Sequence, residues 1–155
     1  MEFFVDVLPI LLEGALVTIK VSLGGSILAL IVAVVAGAAR ASGNKILRTI
    51  AGVYVEIFRG TSVLVQMFWI YFVLPLPPFN LVLTAFQAGV LALGLNVGAY
   101  MAEVVRGGII AVPKGQIEAT IALNMPPLLR LRRVILPQAI VRILPPIGNL
   151  LIDLI

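Results

Sequence analysis

Cysteine and histidine are both missing from the 155 residues. Their absence removes disulfides, Cys/His metal sites and thiol or imidazole catalysis together. Charge is also scarce, at 12% of residues, where ordinary soluble domains carry roughly 25%. No Gly-x4-Gly-Lys-Ser/Thr phosphate loop occurs, and no Gly-x-Ser-x-Gly elbow. Without histidine no Ser/His pair can form. No catalytic residue, no metal site and no cofactor bound by this chain are therefore expected. The opening Met-Glu-Phe-Phe-Val-Asp lacks a positive n-region, so a cleaved signal peptide is not expected either. The net charge is +4, but no basic stretch is interleaved with exposed aromatics, which argues against nucleic acid as a partner.

What the chain has instead is apolar length. It is 61% hydrophobic with a mean hydropathy of +1.17. A soluble fold of this size could not bury that much surface, and the class is an all-α, polytopic membrane protein. Residues 1–13 place Phe3, Phe4, Val7, Leu8, Leu11 and Leu12 at helical spacing beside Glu2, Asp6 and Glu13. That pattern predicts an interfacial N-terminal helix. Four spans follow: Gly14–Ala39, Ile50–Leu74, Leu81–Ile110 and Val134–Ile155. They make a single transmembrane domain over 1–155, with no internal repeat. In the first span Lys20 is read as snorkelling to the headgroups. Gly24, Gly25, Ser26, Ala29, Ala33 and Ala36 permit close helix contact. Arg40–Arg48 is a short link with a turn at Ser42–Asn44, and Leu76–Asn80, with Pro77 and Pro78, is a tight turn at the other end.

Lys and Arg collect on loops that face the cytoplasm. Arg40, Lys45 and Arg48 follow the first span, and Lys114, Arg130, Arg132 and Arg133 lie in the loop 111–133. No basic residue precedes Lys20, so the N-terminus is expected outside and both basic loops inside. Glu56 and Arg59, and again Glu103 and Arg106, stand three apart on one helical face and are read as structural charge pairs. Gln66, Gln87, Asn96, Tyr100 and Asn149 are the polar residues in or near the spans. Each could make a helix–helix hydrogen bond, and jointly they are the candidates for a substrate path.

The richest stretch is GQIEATIALNMPPLLRLRRVILPQAIVRILPPIGN, Gly115–Asn149. Pro113 pre-sets a first helical turn, and Gln116 and Glu118 sit early, where the helix dipole favours them. Asn124 can take the left-handed conformation that a helix C-terminus wants. Pro126 and Pro127 stop continuation. A basic rim and an apolar run come next, in which Pro137, Pro145 and Pro146 should break or kink a helix.

This stretch resembles the cytoplasmic loop of bacterial ABC-importer permeases. That loop carries Glu-Ala-Ala, a Gly four residues after the last Ala, and Ile-x-Leu-Pro further on. Glu118, Ala119, Leu136 and Pro137 match. Thr120 replaces the second Ala, Asn124 the Gly and Val134 the Ile. Phe58–Pro75 and Gly98–Ile109 resemble the polar-amino-acid branch of the same family, with Ser62 in the place of a usual Pro. Leu136–Asn149 does so as well.

The resemblance implies the type I importer transmembrane fold, with about four spans present of an expected five and a C-terminal part missing. It implies a permease subunit in the bacterial cytoplasmic membrane that translocates polar amino acids or their derivatives. An external periplasmic or lipoprotein binding protein would deliver them. Its partners would be ABC ATPase subunits, which bind ATP and Mg²⁺, a second permease subunit and membrane lipid. Residues 111–133 would be the ATPase-coupling loop, acting through Glu118, Ala119, Thr120, Asn124, Pro127, Leu136 and Pro137. A stand-alone channel or ion-coupled carrier, and a passive membrane scaffold, are the other classes considered. A carrier would want ionisable residues near the midplane.

Overall fold

The computed structural model describes the backbone from Glu2 to Leu154, with side chains from Val7. Met1 and Ile155, and the side chains of Glu2, Phe3, Phe4, Val5 and Asp6, lie outside the described residues. Helix α1 runs Glu2–Ala41. The expected interfacial helix and first span are thus one rod of 40 residues, about 60 Å long at 1.5 Å per residue. Gly14 lies inside it and no cap-forming residue separates the two parts. Lys20 is exposed about half-way along, rather than near one end.

Helix α1 ends at the Ser42–Asn44 turn. Asn44 caps α2, Lys45–Gly60, by accepting from the Ile46 and Leu47 amides at 2.9 and 3.4 Å. The expected second span then breaks. Thr61 and Ser62 are extended, and Ser62 caps the short α3, Val63–Phe68, with its hydroxyl accepting from the Leu64 amide. Ser62 therefore restarts a helix with its own cap. A π turn, Trp69–Val73, closes this piece when the Leu74 amide reaches the Trp69 carbonyl at 3.1 Å. After the turn Leu76–Asn80, Thr84 caps α4, Ala85–Ile110, in a reciprocal capping box with Gln87. Three helical stretches are long and apolar enough to cross a membrane: Val7–Ala41, Ala85–Ile110 and Pro127–Leu154. The expected second span is instead the broken pair α2 and α3.

Packing is organised by α1 against α4. Lipid removes any hydrophobic drive between helices, so contact rests on close van der Waals approach between small residues. Gly94, Gly98 and Ala102 recur at every fourth position of α4 and are buried. Gly94 faces Leu28, Gly98 faces Ala29 and Val32, and Ala102 faces Gly37 of α1. A Cβ at Gly98 would lie 3.1 Å from Val32 Cβ and 3.2 Å from the Ala29 carbonyl oxygen. Ala29, Ala33, Met101 and Val105 form one buried cluster, and Ala36, Ala51, Val55 and Ala102 a second that brings in α2. The small residues expected to make close contacts in the first span do so at Gly25, Ala29, Ala33 and Ala36, all buried.

Helix α5 spans Lys114–Ala122, α6 Pro127–Arg130 and α7 Leu136–Leu154, with a π turn at Leu131–Ile135 joining the last two. None of the prolines expected to break or kink this last run ends α7, and Pro137 follows an irregular π turn. Pro145 and Pro146 lie within α7. The π turn ends two residues before Pro137, as the Leu136 amide donates to the Leu131 carbonyl. Its wider i→i+5 pairing makes room for the i→i+4 bond that Pro137 cannot make. Helix α7 rests on α4 where Ile143 fills the space left by Gly108.

Candidate functional site

Helix α5 begins immediately after Pro113, so the proline sits one position ahead of the expected first turn. Thr120 is buried and its hydroxyl donates back to the Ile117 carbonyl at 2.6 Å. Glu118 and Ala119 are exposed side by side. The C-terminus closes with Asn124 at φ 54°. The Asn124 amide donates to the Ile121 carbonyl at 2.8 Å and the Met125 amide to the Thr120 carbonyl at 3.0 Å. Those two bonds are a Schellman ending, which uses up carbonyls that helix termination would strand. Arg130 then donates to the Met125 carbonyl at 3.3 Å, and α5 packs against the π turn Leu131–Ile135. Pro127, Leu136 and Pro137 are exposed. The loop is thus a built surface element with a short exposed face at Glu118 and Ala119.

The left-handed residue gives a direct prediction. Asn124→Gly should keep stability and function, because glycine adopts this conformation without strain. Asn124→Val should lose about 1–2 kcal/mol, the cost of a left-handed Cβ conformation. Thermal unfolding and uptake by the two variants check both outcomes.

A second cluster surrounds the break after α2. Ending a helix inside a bundle strands its last carbonyls. The Phe58 carbonyl accepts from Asn96 Nδ2 at 2.8 Å and from Gln66 Nε2 at 2.9 Å. The Arg59 carbonyl accepts from Tyr100 Oη at 3.3 Å, and the Ile57 carbonyl from Thr61 Oγ1 at 2.8 Å. Gln66 Nε2 also reaches Thr61 Oγ1 at 2.7 Å. Three of the five expected path residues, Gln66, Asn96 and Tyr100, therefore converge on one backbone feature. Beside them is an apolar cleft of about 330 Å³ walled by Phe58, Trp69 and Ile70. Gln87 is elsewhere, capping the start of α4 rather than sitting in its body. Asn149 is exposed on α7, away from the break.

The charges form a third group. Glu103 pairs with Arg106 at 3.3 Å as the spacing predicts, and also with Arg40 from the end of α1. Glu56 and Arg59 do not form the expected pair among the described residues. The Arg59 guanidinium instead lies over the Tyr100 ring, 5.1 Å from its centroid. Arg40, Glu56, Arg59 and Glu103 line an open cleft of about 370 Å³, with Glu56 and Arg59 exposed.

Sequence reasoning missed three contributors. Arg40 looked like a loop charge, but it ties α1 to α4 through Glu103. Tyr54 donates to the Leu95 carbonyl at 2.6 Å, fixing α2 beside α4. Arg142 of α7 donates to the Ala111 carbonyl, so it holds the last helix against the root of α5. Only long-range pairing reveals these roles, although an arginine within an apolar run is itself a signal.

Comparison with known proteins sets this geometry in a family. The model of the binding-protein-dependent transport system inner membrane component family matches residues 25–155. A chain from Rickettsia prowazekii (strain Madrid E), provisionally assigned as a glutamine transport system permease protein, is 44% identical over 145 residues, which cover 94% of this chain and 66% of the relative. The glutamine transport system permease protein of Escherichia coli (strain K12) is 41% identical over 142 residues, 92% of this chain and 65% of the relative. The chain thus spans about two thirds of the length of these relatives. A crystal structure of an amino acid ABC transporter with histidines superposes with a TM-score of 0.84 at 37% identity, covering 97% of this chain and 69% of that one. With the family's model matched over residues 25–155 of this chain, and a helical fold that superposes on an amino acid ABC transporter, this chain belongs to the binding-protein-dependent transport system inner membrane components.

Proposed function

We propose that this chain is a membrane-spanning permease subunit of an ATP-driven importer for polar amino acids or their derivatives. The observation that carries the reading is the α5 element. A short capped helix with an exposed acid and a small residue sits between α4 and the last membrane-length helix, in a family defined by dependence on a binding protein. We take α5 and its flanks, residues 111–133, as the coupling loop that docks on an ATPase subunit. The single domain over 1–155 would then be non-catalytic, with ATP and Mg²⁺ bound by the partner. A second permease subunit and an external solute-binding protein complete the assembly in the bacterial inner membrane. The names of the glutamine permease and amino acid transporter relatives support the substrate class.

The test is uptake into vesicles holding the intact transporter with its ATPase and binding protein, across a panel of polar amino acids. ATP-dependent uptake of at least one is expected. Uptake that persists without nucleotide would favour a channel or ion-coupled carrier.

Orientation follows from the basic loops. An impermeant thiol reagent applied to intact cells should label Asn80→Cys and leave Ser42→Cys unreacted. The reverse pattern would invert the topology.

A further inference from the structure

Arg142 is the one charged residue in the apolar run between Arg133 and Asp153. An ionisable group in such a run is costly and turns to a partner, a backbone carbonyl included. Among the described residues no carboxylate pairs with Arg142. Its guanidinium donates instead to the Ala111 carbonyl, 31 residues back in the chain. Ala111 is the C-cap of α4, where helix termination leaves carbonyls without helical partners. Pro113, at ψ 136°, then redirects the chain into α5. Residues 111–113 are thus a non-helical joint between α4 and α5, the kind of segment that absorbs backbone rotation in a hinge. Arg142 grips that joint from α7.

The rest of the loop is tied within itself. The Met125 amide donates to the Thr120 carbonyl, and Arg130 to the Met125 carbonyl. Helix α5 packs on the π turn Leu131–Ile135, which runs directly into α7. One end of the loop is therefore continuous with α7, and the other is bonded to α7 through Arg142. We propose that Arg142 is a positioning residue that closes residues 111–142 into one rigid lever. A displacement of α5 by its ATPase then moves α7 instead of folding the joint at 111–113. The proposal rests on the coupling-loop reading and assigns the residue that carries the motion into the membrane. Packing of Ile143 at Gly108 sets the distance between α4 and α7, and the guanidinium bond fixes the joint itself. Without that bond α5 would hang from α4 by the joint alone. Arg142 is exposed, so its replacement removes the bond without opening a core.

The experiment uses the intact transporter, with its ATPase and binding protein, in proteoliposomes. Uptake of an amino acid that the wild type transports and ATP hydrolysis are read in the same preparation. Arg142→Met keeps an unbranched stem and removes the donor. It should retain membrane abundance, ATPase co-purification and ATP hydrolysis, while uptake per ATP falls at least about tenfold, the loss of one charge-assisted hydrogen bond from the coupled state. Arg142→Lys keeps a donor and should stay close to wild type. A wild-type ratio in Arg142→Met, or a loss in Arg142→Lys as large as in Arg142→Met, would overturn the proposal. A second readout needs neither variant. Gly115 on α5 and Gly148 on α7 have open space at their Cβ positions. Spin labels on Gly115→Cys and Gly148→Cys, in one permease chain diluted with cysteine-free permease, should keep one distance with and without ATP. A distance that shifts with ATP while uptake stays coupled would overturn the lever and leave the coupling-loop reading intact. ATP-dependent uptake in a complex whose α5 never touches the ATPase would remove that reading instead.

Discussion

Ala119→Trp in the intact transporter is expected to abolish ATP-dependent uptake while insertion and abundance stay normal. Ala119 is exposed on a helix of nine residues whose ends are both fixed, by Pro113 and by the left-handed Asn124. A large side chain there meets no intramolecular neighbour to disturb, so the chain itself should fold. The damage falls on whatever docks against this face. Overpacking a close interface costs about 1–3 kcal/mol, which is roughly a 5–150-fold loss of affinity. Glu118→Lys should act alongside it, because it replaces an acceptor of charge-assisted bonds with a like charge for any arginine opposite. Uptake, membrane abundance and ATPase co-purification measured together check this. Normal uptake by Ala119→Trp with the ATPase still bound would show that α5 is not the docking element.

Gly37→Leu is expected to leave no folded permease. A Cβ at Gly37 would fall 2.6 Å from Val105 Cβ and 2.8 Å from the Ala102 carbonyl oxygen. Neither is the free end of a flexible chain, so α1 and α4 must part for any side chain to enter. Gly37→Ala should already cost about 1–3 kcal/mol. Gly107 is the control, with nothing within 4 Å of its Cβ. Gly107→Ala should be neutral or gain up to about 1 kcal/mol from helix propensity. Thermal unfolding of the three purified variants separates these outcomes. Equal losses at 37 and 107 would mean the α1–α4 seam is not the structural axis.

The contrast between these positions shows what the sequence could tell. Asn124 was legible because its constraint is local: a helix stopped by Pro126 needs one left-handed residue, and asparagine tolerates that. The pairing of Glu103 with Arg106 was legible for the same reason, since spacing alone puts them on one face. Gly25, Ala29, Ala33 and Ala36 were readable as a small-residue seam, although nothing named α4 as their partner.

The break at Thr61–Ser62 was not legible as a break. Hydropathy averages over a window and does not report the backbone, so Ile50–Leu74 read as one span. Its cost is met by Gln66 of α3 and by Asn96 and Tyr100 of α4. In the sequence they looked like loose polar residues of a path; in the fold they are the caps of α2. Glu56 and Arg59 failed in the opposite direction. The spacing allowed a pair, but Tyr100 offers the guanidinium a ring and takes it away from the carboxylate. Helix α1 hid a boundary error, because an acidic amphipathic start and an apolar span share one period and nothing between them ends a helix.

The central claim is that α5 touches an ATPase. This chain has no cysteine, so a single one placed in an intact transporter otherwise free of cysteine reports its own neighbour. Glu118→Cys and Ala119→Cys, treated with a short bifunctional reagent, should each give an adduct of permease with ATPase, and Asn80→Cys should give none. Absence of an adduct from both α5 positions, in complexes that still take up substrate with ATP, would contradict the account.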